Sequence, residues 1–476
     1  MIKTRMGGLL AMAAALAGCG GDDGGSSAIV TATPTPTSSP TAACTLRDRQ
    51  DWAAAQLREW YLFPETLPSA LDPSAYTSVD TYIDALTATA RGQRRDRYFT
   101  YLTSIREEDA YYSSGSSAGF GIRLSTDSIA RRVFVGEAFE GAPALAAGID
   151  RGTEILAIGT SEASLRTVDD IIAAQGAAGI TAALGDSTAG TTRVLRVTDA
   201  RGTRVLSVTK ADYSLTPVSA RYGAKVIDDG GRKVGYLNLR TFISTADQAL
   251  RDAFASFRAQ GITEVVVDFR YNGGGLLSTA ELLSDLLGAD RASTDVVDYV
   301  SYRAEKAANN STRFFIARPQ AIAATRIAFI GTGATASASE LVINTFVPFL
   351  HSRVGLIGTN TFGKPVGQIA IDRSQCDDRL RVIAFSLQNA SRQGEYFDGL
   401  AKTVEASCQA GDDLTKQLGD PQESSTRQAL DFLAGRACTP ITAGTSSALS
   451  TGAAGRRELL SPERPTTAQR EVPGLF

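Results

Sequence analysis

Histidine is almost missing from this chain. Its 476 residues contain one, His351, so any mechanism needing two histidines is excluded, and a Ser-His-Asp arrangement would have to use that single imidazole. An excess of positive charge is missing too. The 48 Lys and Arg stand against 51 Asp and Glu, a formal net charge of -3, which gives no electrostatic basis for binding nucleic acid. Cysteine is sparse, five residues in all, and the spacings fit no metal site. The apolar run at the N-terminus is too short and too rich in small residues for a membrane-spanning helix. What remains is an ordinary globular composition, 43% hydrophobic and 21% charged, in a chain long enough for two or three domains.

The first residues, "MIKTRMGGLLAMAAALAGCGG", place basic Lys3 and Arg5 before an apolar stretch and "LAGC". This reads as an export signal over 1–19. "LAGC" resembles the bacterial lipobox, which would lipidate Cys19 and anchor the chain to a membrane. Gly20 rather than Asp follows, which in that class goes with sorting to the outer membrane, facing the periplasm. The alternative is a plain secretory signal with an incidental cysteine. Cys44, Cys376, Cys408 and Cys438 remain. In an exported chain they suggest two disulfides with three possible connectivities. The expected pairs are Cys376–Cys408, closing a local segment, and Cys44–Cys438, tying the two ends of the folded part together.

Residues 20–43 are rich in Pro, Thr and Ser and read as a disordered tether. Residues 439–476, low in bulky apolar side chains, read as a disordered tail. Between them, 44–112 carries helical periodicity ("DRQDWAAAQLREWYLF") and 118–212 carries short strands between turns ("AGFGIRL", "RRVFVGEAF", "TEILAIG"). In 213–438 apolar strands alternate with amphipathic helices, as in "TEVVVDF", "STAELLSDLLG", "RIAFIG" and "ASELVINTF". That alternation predicts an α/β fold with a largely buried sheet.

The strand "RIAFIG" breaks into "TGATASASE" before the helix resumes. "GTGATA" fits a variant of the dinucleotide fingerprint, but the next strand, "VGLIGTN", lacks the acidic residue that would hold a ribose. The other reading makes Ser337, at the helix start, a nucleophile beside free backbone N–H groups that can stabilise an oxyanion. "SASE" is also a capping box, and most such sequences do nothing else. Downstream, "NTFGKPVGQIAI" puts Lys364 and Gln368 on one face of a strand. A lysine is a general base only when desolvated enough to lose its proton, whereas a solvated surface lysine is the commoner fate. Upstream, "DFRYNGGG" runs a buried strand into three glycines, more than a simple turn requires.

With "DFRYNGGG", "TASASE" and "TFGKPVGQ" in this order, the chain resembles the carboxy-terminal processing (tail-specific) serine peptidases over about 44–437. The resemblance implies a ββα-type (ClpP/crotonase-like) catalytic core over 213–438, with an inserted PDZ-like β domain over 118–212 and a small N-terminal helical region over 44–112. It implies Ser337 as nucleophile, Lys364 as general base and Gln368 as supporting amide, with the backbone amides of Ala338 and Gly274 as oxyanion donors. In "GFGI", Gly119, Phe120, Gly121 and Ile122 would form the loop that holds a peptide terminus while the peptide adds a strand to the sheet edge. No metal or organic cofactor is implied, and the partner is a polypeptide substrate. The expected function is an exported serine endopeptidase cleaving unfolded or C-terminally recognised polypeptides through an acyl-enzyme. The alternative is a catalytically silent PDZ-type peptide-binding module on the same fold. The chain departs from the family at "NGGG", where "NPGG" is common, and after Gln368. His351, in "VPFLHSRVG", is expected to have no catalytic role.

Overall fold

Alternate residues of the buried strands point to opposite faces of one sheet, and both faces are apolar. In the computed structural model, which describes residues 44–442 and 457–476, six strands lie in the order Ala224–Asp229, Arg232–Asn238, Glu264–Asp268, Arg326–Gly331, Val354–Gly358 and Ala406–Gln409. The first pair is antiparallel and the others are parallel. Val265, Val267, Ile327, Phe329 and Leu356 face the helices Ala246–Ala259, Leu277–Leu287 and Ala338–Leu350. Val266, Ala328, Ile330 and Ile357 face Ala429, Leu430 and Leu433 of the helix Ser424–Leu433. A sheet covered on both faces needs such continuous apolar strands, and the α/β expectation holds. The signal segment, Cys19 and the tether lie outside the described residues.

A second sheet carries the lysine motif. Asp378–Gln388 pairs with Tyr101–Ser104, Val296–Tyr302 and Val366–Arg373, and Ser311–Phe314 extends it. The N-terminal helices Leu46–Trp60 and Val79–Leu86, capped by Thr45 and Ser78, pack Leu57, Tyr82 and Ile83 against Val366, Val382 and Ile383. The region 44–112, expected to be a small helical region, also contributes the strand Tyr101–Ser104 to this sheet. Residues 116–214 form a β domain whose main sheet packs on the helix Val168–Leu184 through Ile122, Leu124, Val135, Ile171 and Leu195.

Two expectations are corrected. The disulfides are Cys44–Cys376 and Cys408–Cys438. Cys376 lies at the tip of the Val366–Arg373/Asp378–Gln388 hairpin, to which Arg49 beside Cys44 is held by Asp378 at 2.7 Å. Cys438 runs along the edge strand bearing Cys408, where the Gln409 N–H donates to the Thr439 carbonyl at 2.7 Å. The stretch 439–476 is also not a disordered tail where it is described. Residues 457–476 fold back, pair Glu458–Leu459 with Thr126–Ser125, and bury Leu460, Val472, Leu475 and Phe476. Averaged composition hid these apolar anchors among polar neighbours.

Candidate active site

The strand Arg326–Gly331 delivers the chain into a turn pinned by Thr335, whose Oγ1 donates to the Phe269 carbonyl at 2.7 Å. Ser337 then starts the helix Ala338–Leu350 with φ 54°, a conformation that costs a non-glycine residue energy and recurs at functional sites. The three glycines arrive from the neighbouring strand. A Cβ on Gly274 (φ +124°) would lie 2.8 Å from Ser337 Cβ and 3.3 Å from the Ala338 nitrogen, so only glycine permits this approach.

Lys364, expected on a strand face, lies in the turn that leads into the second-sheet strand Val366–Arg373. Its Nζ donates to Gln368 Oε1 at 2.9 Å and stands 5.0 Å from the Phe99 ring centroid, while Gln368 Nε2 donates to the Phe99 carbonyl. Burial lowers the Lys364 pKa from its ordinary value; Glu471 opposes that shift and Arg470 adds to it. Loss of water disfavours the ammonium, so the neutral amine becomes accessible. A cavity of about 850 Å³ is lined by Gly273, Ala336, Lys364, Phe99 and Phe362.

Glu340 joins the two halves, and sequence reasoning read it only as the end of a capping box. Its carboxylate accepts the Ser337 N–H at 3.1 Å, the Gly363 N–H at 2.7 Å and the Lys364 N–H at 2.7 Å. Glu340 is 0% exposed; burial pushes its pKa up, against the pull of the Thr361 hydroxyl and then of these N–H groups. Arg97 supports the lysine turn from outside, its Nη2 donating to the Phe362 and Gly363 carbonyls at 2.6 Å each. Only the "SASE" spacing signalled Glu340, and nothing in the sequence signalled Arg97.

The other predicted residues divide. The Ala338 N–H carries no hydrogen bond among the described residues and points from the first turn of the helix. Gly274 reaches Ser337, but its N–H donates to Asn272 Oδ1 at 2.9 Å. Among the described residues no hydrogen bond joins Lys364 Nζ to Ser337. Ser339 is buried and donates to the Asn272 carbonyl at 3.1 Å. His351 follows the far end of the 13-residue helix, roughly 20 Å from Ser337 by helical rise, with its side chain 63% exposed and Nδ1 2.8 Å from Glu405 Oε1. Gly119, Phe120, Gly121 and Ile122 form the turn into the strand Ile122–Asp127 of the β domain.

Residues 233–404 match Peptidase family S41. A 334-residue stretch is 24% identical to carboxyl-terminal-processing peptidase 3, chloroplastic, of Arabidopsis thaliana, covering 69% of this chain and 61% of that protein. Over 264 residues the chain is 24% identical to the carboxyl-terminal-processing protease of Synechocystis sp., covering 55% of this chain and 56% of that protein. The chain thus spans less than two thirds of the length of these relatives. A solved structure described as an S41 protease of Bacteroides fragilis shares the fold, with 24% identity, a TM-score of 0.61, and coverage of 81% of this chain and 97% of that one.

Proposed function

We propose, from the premise that this chain carries a Peptidase family S41 domain, that it is a serine endopeptidase acting through Ser337 and Lys364. The observation that carries the reading is the Glu340 carboxylate, which ties the Ser337 turn to the Lys364 turn through three backbone N–H groups. In this reading neutral Lys364 takes the Ser337 proton as Oγ attacks a peptide carbonyl. The Ala338 N–H stabilises the developing oxyanion. The lysine returns the proton to the leaving amine, and water then hydrolyses the acyl-enzyme. Gln368 holds the amine without adding a charge that would favour its protonated form.

The β domain is read as PDZ-like, with Gly119–Ile122 and the strand that follows them accepting an extended polypeptide. Lys3, Arg5 and "LAGC" support export and lipidation at Cys19, and two disulfides suit an oxidising compartment. The catalytically silent peptide-binding alternative draws on Lys364 Nζ bonding Gln368 and not Ser337. A fluorophosphonate probe followed by peptide mapping separates the two. Labelling at Ser337, with loss of cleavage of an unstructured protein in Ser337→Ala, is the expected result. A folded chain that neither labels nor cleaves is the silent module.

A further inference from the structure

The β domain presents the strand Ile122–Asp127 at the edge facing away from Arg132–Ala138. An open edge is a row of unpaired N–H and C=O groups, a template for an added strand. Here residues 457–476 of the same chain take it. The Ile122 N–H donates to the Phe476 carbonyl at 3.1 Å and the Phe476 N–H to the Ile122 carbonyl at 2.8 Å. The Leu124 N–H donates to the Gly474 carbonyl at 2.8 Å, and the Leu124 carbonyl accepts from the Leu460 N–H at 2.9 Å. The pairing at Arg123 and Leu475 is antiparallel.

The side chains are housed as well. Phe476, 3% exposed, enters the core formed by Phe120, Ile122 and Leu124. Leu475 enters a separate cluster with Tyr111, Phe139 and Tyr213. A Cβ on Gly119 would lie 2.9 Å from the Phe476 carbonyl carbon, so the glycine of the predicted loop is what admits this backbone.

The same segment reaches the candidate catalytic centre. The Gly273 N–H donates to the Glu471 carbonyl at 2.9 Å, beside Gly274 and Ser337. Arg470, Glu471, Pro473 and Gly474 form part of the wall of the cavity that Lys364 lines. Arg123, fully buried, donates to the Pro473 and Tyr271 carbonyls and so links the β-domain edge, the segment and the glycine loop.

We propose that residues 457–476 are an internal ligand: they fill the strand-addition groove of the β domain, cover the catalytic cavity, and must be displaced by an incoming extended polypeptide carrying a Gly-Leu-Phe-like pattern. The inference rests on the reading of Gly119–Ile122 as a peptide-binding loop. It does not require Ser337 to be a nucleophile. A groove occupied in nine of ten molecules binds an outside peptide about tenfold more weakly than an open one. Displacement also frees the Gly273 amide and the cavity wall, so groove filling and cleavage become coupled.

The test uses a fluorescent peptide of sequence TTAQREVPGLF and two chains in a Ser337→Ala background, one otherwise unchanged and one with Leu475→Asp and Phe476→Asp. The doubly substituted chain is expected to bind the peptide about tenfold or more tightly than its parent. With Ser337 restored, it should cleave an unstructured protein faster than the parent does. Equal affinities overturn occupancy in cis, and a folded variant that binds no peptide overturns the groove itself. If affinity rises as expected but neither Ser337 chain cleaves, the peptidase reading fails and the internal ligand stands. Should the variant not fold, hydrogen exchange on the unsubstituted chain decides. Slow exchange at the Ile122, Leu124 and Gly273 amides supports the proposal, and exchange as fast as at an open edge overturns it.

Discussion

The Glu340 carboxylate and the Lys364 backbone N–H meet at 2.7 Å, across 24 residues of chain. Through the same side chain, Lys364 is tied to the Ser337 amide. The Glu340 carboxylate thus sets the spacing between the turns that carry the proposed nucleophile and base, through their backbone N–H groups.

Glu340→Gln is therefore expected to lower kcat/KM by about 100-fold, the scale of a misplacement near 1 Å. An amide has one acceptor oxygen, and its NH2 would face a backbone donor. Weakening a charge-assisted hydrogen bond should also cost roughly 1.5–3 kcal/mol in a thermal or denaturant melt. A variant with unchanged kinetics would confine Glu340 to capping the helix.

Because burial lowers the Lys364 pKa, kcat/KM should rise with pH and level off below the range of a free lysine, since only the neutral amine accepts a proton. Lys364→Arg should be inactive, because a guanidinium does not deprotonate in proteins. Gln368→Ala should remain active with an altered pH profile, since it removes the positioning amide and not the base. An active Lys364→Arg chain with the parent pH profile would require another proton acceptor.

Asp298 gives an independent pH signal in the fold. Neither of its oxygens has a hydrogen bond among the described residues. Burial first and Glu281 second push its pKa up to about 7, with Arg313 opposing them. The folded state therefore holds a proton that the unfolded state releases between about pH 4 and pH 7. This contribution to stability is fully present below that window and is lost as pH rises through it. Asp298→Asn should raise the melting temperature at pH 8 far more than at pH 4. The gain at pH 8 should be on the order of 2–4 kcal/mol.

Peptide mapping without reductant should recover Cys44–Cys376 and Cys408–Cys438. Cys44→Ser should release the start of the N-terminal helix from the hairpin tip and destabilise the chain by about 2–5 kcal/mol. Recovery of Cys44 linked to Cys438 would contradict the fold of both segments.

The α/β alternation and the order of "NGGG", "SASE" and "GKPVGQ" were legible because each depends on local pattern: apolar periodicity, glycine at close approaches, and turn residues at strand ends. Lys364 Nζ and Gln368 Oε1 do meet, but not as two residues on one strand face: Lys364 precedes the strand Val366–Arg373, and the register shifts between Gly367 and Gln368. His351 was expected to be idle, and it lies beyond the far end of the helix that Ser337 opens. Local pattern also placed Gly274 against Ser337, but the direction of its N–H depends on Asn272.

What only the tertiary structure decided depends on distant segments. Disulfide pairing follows from which strand runs beside Cys408 and which hairpin tip meets Cys44, and spacing along the chain carries neither fact. The Glu340 clamp needs the lysine turn to arrive from a second sheet. Residues 457–476 read as solvated because their polar residues outnumber their anchors. They are ordered because Leu460, Val472, Leu475 and Phe476 reach apolar sites built by residues 111–243. Local sequence determined the chemistry available at each turn, and long-range packing determined which turns share a site, because burial and hydrogen bonding are satisfied between segments and not within them.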